Sequence, residues 1–203
     1  MRRLALSPIL LALSWPGAGQ AQAPAAPYPT KEVAAEFEAL CGKKMKLAER
    51  RALAARRGWV ESREAAPART VVARDYQDKL AKHTGGLKAA GEDSFFRRTV
   101  AGEALELVVF RSRAGSDGIS GCDIFDPGEG REDLVQGFET VIGGRPIVRG
   151  VNPGLSIILW GTQEGAIAIM TQLGMIPPGS EAVARLGFSG LRLQRDYAGK
   201  AEK

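Results

Sequence analysis

The stretch that decides the fold is residues 94–109, which read SFFRRTVAGEALELVV. Apolar side chains recur at every second position on both sides of Gly102, as Phe96, Leu105 and Leu107 illustrate. A period of two is the pattern of a half-buried β-strand, and a glycine between two such runs permits a tight turn. We therefore predict an antiparallel hairpin at this point in the chain.

The elements around this hairpin predict an α+β fold, with N-terminal helices packed on a mainly antiparallel sheet. The sheet is expected to be built as a meander, a helix and a second hairpin, because strands that follow one another through short turns favour antiparallel pairing. Strand and helix do not alternate regularly, which argues against a parallel nucleotide-binding fold. The predicted helices cover residues 30–57, 72–85, 131–142 and 180–185. The predicted strands cover residues 94–100, 105–109, 119–126, 155–162, 166–172 and 191–193.

The N-terminus is typical of a secretory signal peptide. Arg2 and Arg3 precede an apolar run that ends in Ala21-Gln22-Ala23, a small-x-small cleavage pattern. We predict cleavage after Ala21 or Ala23, an Ala/Pro linker over residues 24–30, and one α+β domain over 31–203. The expected location is the periplasm or the medium. No later apolar stretch reaches the length of a membrane span, so the mature chain is expected to be soluble.

Cys41 and Cys122 are the only cysteines of the chain. Export would place them in an oxidising compartment, where disulfides persist. Their separation excludes a CxxC redox motif, and the single histidine, His83, offers little support for cysteine-based catalysis. We predict a disulfide that joins the N-terminal helical segment to the sheet.

A basic cluster lies just after Cys41. Residues 43–57 hold seven basic residues against one acid, so this segment carries more than the whole +5 formal charge of the chain. On a helical wheel, four basic side chains fall on one side: Lys43, Lys46, Arg50 and Arg57. We predict that these four residues contact an anionic envelope surface. The alternative is a surface helix that packs through its alanines. The cluster lacks interleaved aromatic residues, and an exported protein rarely meets nucleic acid, so none is expected as partner.

An acidic turn covers residues 123–133, between a predicted strand and a predicted helix. Its carboxylates favour either helix-end stabilisation or a hard-cation site, for which Asp123, Asp126 and Glu129 are the candidates. The same carboxylates would serve an exported hydrolase or cation-dependent enzyme. Their spacing differs from that of an EF-hand loop.

Other catalytic and cofactor motifs find little support. Gly187-Phe188-Ser189-Gly190 begins like a nucleophile elbow, but Leu191 stands where the second glycine belongs. No phosphate-binding glycine loop is present, and no cofactor is expected. The sequence therefore predicts an exported envelope protein that acts as a binding or interaction module, whose partner is an anionic envelope surface or another protein. The enzyme at the acidic turn is the alternative.

Overall fold

A computed structural model describes residues 27–62, 90–114, 116–131, 133–152 and 154–200 of the chain. Within these ranges there are four helices: α1 (Thr30–Cys41), α2 (Leu47–Arg56), α3 (Leu134–Ile142) and α4 (Glu181–Leu186). The strands are β1 (Val60–Ser62), β2 (Ala90–Val100), β3 (Glu103–Ala114), β4 (Asp117–Pro127), β5 (Val148–Asn152), β6 (Leu155–Glu164), β7 (Ile167–Ile176) and β8 (Gly190–Lys200). The signal peptide, residues 24–26 of the linker, the helix at 72–85 and His83 lie outside the described residues.

The eight strands form one antiparallel sheet in the order β1-β2-β3-β4-β8-β7-β6-β5. The C-terminal strand β8 lies at the centre and joins the meander β2-β3-β4 to the meander β5-β6-β7. The predicted mixed α+β class is confirmed, although the sheet contributes most of the structure. The hairpins predicted around Gly102 and Gly165 are both present.

Three helices cover one face of the sheet, which we call the helical face. Phe37 of α1, Leu47 of α2 and Phe138 of α3 pack there against strand residues such as Leu107 and Leu193, all buried. The second face carries a smaller apolar cluster in which α4 packs through Ala182, Val183 and Leu186. Residues 94–109 therefore contribute side chains to two apolar cores, because Phe95 and Val108 belong to the cluster on the second face.

The predicted disulfide between Cys41 and Cys122 is confirmed. Both cysteines are fully buried, and their Cα atoms are 5.6 Å apart, within the range usual for a disulfide. The bond ties the last residue of α1 to the middle of β4, across a sequence separation of 81 residues. Because β4 is one of the two central strands, the disulfide fixes the end of α1 over the centre of the sheet.

The helix predicted through the basic cluster begins later than expected. Residues 43–46 form a non-helical connection between α1 and α2, which we call the basic connection, and α2 starts at Leu47. The Glu49 side chain accepts a hydrogen bond from the Lys46 backbone N–H at 3.4 Å, and this contact marks the helix start. The wheel that placed Lys43 and Lys46 on one helix side was therefore wrong for these two residues.

Two strands of the sheet were not predicted from the sequence. β1 has only three residues. β5 has five residues, and the four that are exposed include residues on each side of the strand. Without a buried face there is no alternation to detect. Both strands lie at the edges of the sheet, where packing constrains the sequence least.

No helix among the described residues is long and apolar enough to cross a membrane.

Candidate functional site

The basic connection is held in place by three interactions with the protein interior. The Tyr197 hydroxyl donates a hydrogen bond to the Cys41 carbonyl at 2.6 Å. The Arg50 guanidinium donates to the Lys43 carbonyl at 3.0 Å and lies over the Tyr197 ring, 5.7 Å from its centroid. The Cys41–Cys122 disulfide closes the end of α1 beside them. These contacts fix the backbone from which the lysines of the connection project.

The four predicted surface contacts therefore divide into two pairs. Lys43 and Lys46 are exposed on the connection. Arg50 is only 1% exposed, because its side chain is part of the interior packing. Arg57 makes a bidentate ion pair with Glu36 of α1, whose shorter contact is 2.6 Å. The structure thus leaves two of the four basic groups facing solvent in the described part of the chain.

A small pocket opens beside the basic connection, where β3, β4 and β8 end. We call it the basic pocket, and its basic wall residues are Lys44, Arg111, Arg113 and Lys200. Ser112, Ser120 and the Tyr197 ring with its hydroxyl also line the pocket. Within the described ranges, none of the residues that line it is acidic.

Arg113 is the distinctive member of the basic pocket. Its Nε atom is buried and has no hydrogen-bond partner among the residues that the structure describes. Arg111 is different, since its Nη2 donates to Glu92 at 2.8 Å at the rim. A buried guanidinium N–H without an acceptor is costly, so the pocket favours an anionic or hydrogen-bond-accepting occupant.

Sequence analysis missed all four basic residues of the pocket wall as site residues. Arg111 and Arg113 lie two apart on β3 and therefore point to the same face of the sheet. Register then brings β8 close, because Arg113 pairs with Gly118 and Gly118 pairs with Gly199. Lys200 is 87 positions from Arg113, so only the strand order reveals that the two belong to one site.

The acidic turn forms a different cluster, on the helical face. Carboxylate oxygens of Glu103, Asp126 and Glu129 lie within 4.8 Å of one another, and Glu103 was not predicted to take part. Asp123 points to the second face, where its Oδ2 accepts two hydrogen bonds from Arg192, the shorter at 2.8 Å. The three predicted cation ligands are therefore split between the two faces.

Arg131 and Tyr28 are partners of this acidic cluster on the protein. Glu129 accepts from the Arg131 guanidinium at 2.5 Å, and this guanidinium lies 5.0 Å from the centroid of the Tyr28 ring. The Tyr28 hydroxyl donates to Asp126 Oδ2 at 2.8 Å. The cluster thus anchors Tyr28, which precedes α1, to the end of β4.

Burial raises the pKa of Asp126 to about 6, and the charges of Glu103 and Glu129 add to this effect. The hydrogen bond from Tyr28 and the charge of Arg131 act in the opposite direction. An acid whose pKa is higher in the folded than in the unfolded protein stabilises the fold below its ordinary pKa. That stabilisation is lost as the pH rises through about 6.

Replacing Asp126 with asparagine should therefore stabilise the protein at pH 8. The amide oxygen can still accept the hydrogen bond from Tyr28. The substitution removes a carboxylate whose ionisation in the folded protein costs up to about 3 kcal/mol. At pH 4 the carboxyl is protonated in the folded protein, and the gain should nearly vanish. Urea unfolding of wild type and Asp126→Asn at both pH values measures this. An equal change at the two pH values would refute the assignment.

Comparison of the chain with protein-family models, with curated proteins and with solved structures found no match in any of the three.

Proposed function

We propose that the protein is an exported envelope protein that binds anionic ligands through the basic connection and the basic pocket. The observation that carries the proposal is the buried Nε of Arg113, which has no partner among the described residues and lies in a pocket whose described wall has four basic and no acidic residues. The predicted signal peptide and the buried disulfide are consistent with an oxidising compartment.

The charge of the site indicates a phosphate group. Four cations around one small pocket match a ligand that carries more than one negative charge in a compact volume. Arginine binds phosphate through its planar fork and lysine as a point charge. In a cell envelope, phosphate groups are available in the headgroups of anionic phospholipids at the membrane surface. Lys43 and Lys46 on the basic connection would face that membrane surface.

Wild-type protein should bind vesicles of phosphatidylglycerol and phosphatidylcholine at low ionic strength, and should ignore vesicles of phosphatidylcholine alone. Each basic group near an anionic membrane contributes about 1 kcal/mol. The double variant Lys44→Gln with Lys200→Gln should therefore bind about 30-fold more weakly in a sedimentation assay.

A charge-matched control is Lys31→Gln with Arg185→Gln, because both residues are exposed and line neither the basic pocket nor the connection. It should bind like wild type apart from a small uniform loss. Equal losses in the two variants would show that only net charge matters, and the site would be rejected. Inorganic phosphate as competitor separates a site for the phosphate group from attraction to the surface as a whole.

A further inference from the structure

A second groove lies on the helical face, next to the basic pocket, with which it shares Tyr197, and between the C-terminal ends of α1 and α3. We call it the indole groove. Its floor is formed by β6, β7 and β8, and Gly143-Gly144 form part of its wall. The side chains that give the groove its chemical character are Ile142, Arg145, Trp160, Ile169, Arg195 and Tyr197.

Trp160 presents an unsatisfied donor at this groove. The residue is 8% exposed, and its Nε1 atom is buried without a hydrogen-bond partner in the part of the chain that the structure describes. The indole edge faces the glycine turn, because Cδ1, the atom bonded to Nε1, lies 3.9 Å from where a Gly144 Cβ would stand. Buried indole N–H groups usually have an acceptor, so this one calls for an explanation.

Among the described residues of the wall, one cation is available to pair with a ligand. Arg195 donates to both carboxylate oxygens of Glu38, at 2.6 and 2.7 Å, and to Thr171 Oγ1. Arg145 is exposed and makes no hydrogen bond or ion pair among the described residues. Glu164 adds one negative charge at the rim, where it too is exposed. The wall therefore suits a monoanion better than a phosphate group.

The remaining wall is apolar and aromatic, since Ile142, Ile169 and the Tyr197 ring contribute to it. We propose that the indole groove binds a monocarboxylate with an apolar body, whose carboxylate accepts from Trp160 Nε1 and pairs with Arg145. A small movement of the Gly143-Gly144 turn admits the carboxylate to the indole N–H. Such a group is carried by free aliphatic carboxylic acids and by the C-terminal residue of an apolar peptide.

The test is an NMR titration of ¹⁵N-labelled full-length protein that follows the indole N–H resonance of Trp160. This resonance is assigned by its disappearance in the Trp160→Phe variant. Hexanoate and a trileucine peptide are titrated as the two carboxylate sources, with hexanamide and trileucine amide as neutral partners. A saturable downfield shift at millimolar carboxylate, and none with the amides, is expected. The source that binds more tightly identifies the natural form of the ligand.

Arg145→Met should weaken carboxylate binding about tenfold, because a hydrogen bond to a charged group contributes about 1.5 kcal/mol or more. Arg185→Met on α4 is the matched control and should leave the affinity unchanged. The proposal is overturned if neither carboxylate shifts the resonance, if the amides shift it equally, or if inorganic phosphate binds more tightly than hexanoate. Vesicle binding by the Arg145→Met protein reports on the basic pocket independently.

Discussion

Removal of the disulfide, by Cys41→Ala with Cys122→Ala, is expected to lower the free energy of unfolding by about 4 to 5 kcal/mol. In the chain-entropy model, a closed loop of this length restricts the unfolded chain by about that amount. The measurement is urea unfolding of the oxidised wild type and of the double variant. This is a large share of the stability of a domain, which is typically about 5 to 15 kcal/mol.

A reducing agent supplies the control for this experiment. It should destabilise wild-type protein by a similar amount once the bond has been reduced, and should not change the double variant. Both sulfur atoms are fully buried, so reduction of the folded protein should be slow. A loss below about 1 kcal/mol in the double variant would contradict a structural role for the bond.

Replacing Glu36 with alanine should lower the free energy of unfolding at pH 7 by about 2 to 4 kcal/mol. Its buried carboxylate accepts from Arg57, from Trp59 Nε1 at 2.7 Å and from Arg98 at 2.9 Å. Removing one partner of a buried ion pair costs about 3 to 5 kcal/mol. The value here is smaller because the side chains of Arg57 and Arg98 are about one third exposed and can be hydrated.

The pH dependence of the Glu36 contribution has a defined sign. Burial alone would raise the pKa of Glu36, but the hydrogen bonds from Arg57 and Trp59 and the two arginine charges outweigh it. The pKa therefore lies below its ordinary value, and the carboxylate stabilises the fold above that value. This contribution should fade as the pH falls through the acidic range.

Unfolding of wild type and Glu36→Ala at pH 7 and pH 3 measures this fading. The control is Glu32→Ala in the same helix, because Glu32 is exposed and makes no side-chain hydrogen bond or ion pair with a described residue. It should have little effect at either pH. A Glu36→Ala defect that stays constant from pH 7 to pH 3 would show that the loss comes from packing and not from the charge.

Local patterns predicted most of the sheet. The strands at residues 94–109 were recognised because Phe96, Leu105 and Leu107, which lie on the helical face, recur at a period of two that is visible in the sequence. The disulfide was predictable from the expected oxidising compartment and from the cysteine count, since two cysteines allow only one pairing. The exposed edge strand β5 was not predictable, because neither of its faces is consistently buried.

The site was harder to predict than the fold, for a physical reason. Lys43 and Lys46 were found because they lie within one charged run. Arg113 and Lys200 come together only through the antiparallel order of β3, β4 and β8. Arg50 was misplaced on the surface because its burial depends on Tyr197 and the Lys43 carbonyl, contacts that a helical wheel cannot represent.

Amide hydrogen exchange with and without phosphatidylglycerol vesicles tests directly whether the basic connection and the basic pocket bind an anionic surface. Exchange is expected to slow at residues 43–46 and at the ends of β3 and β8, and to stay unchanged in α4 on the second face. Protection confined to α4 or to β5, or no protection under conditions where the protein sediments with the vesicles, would contradict it.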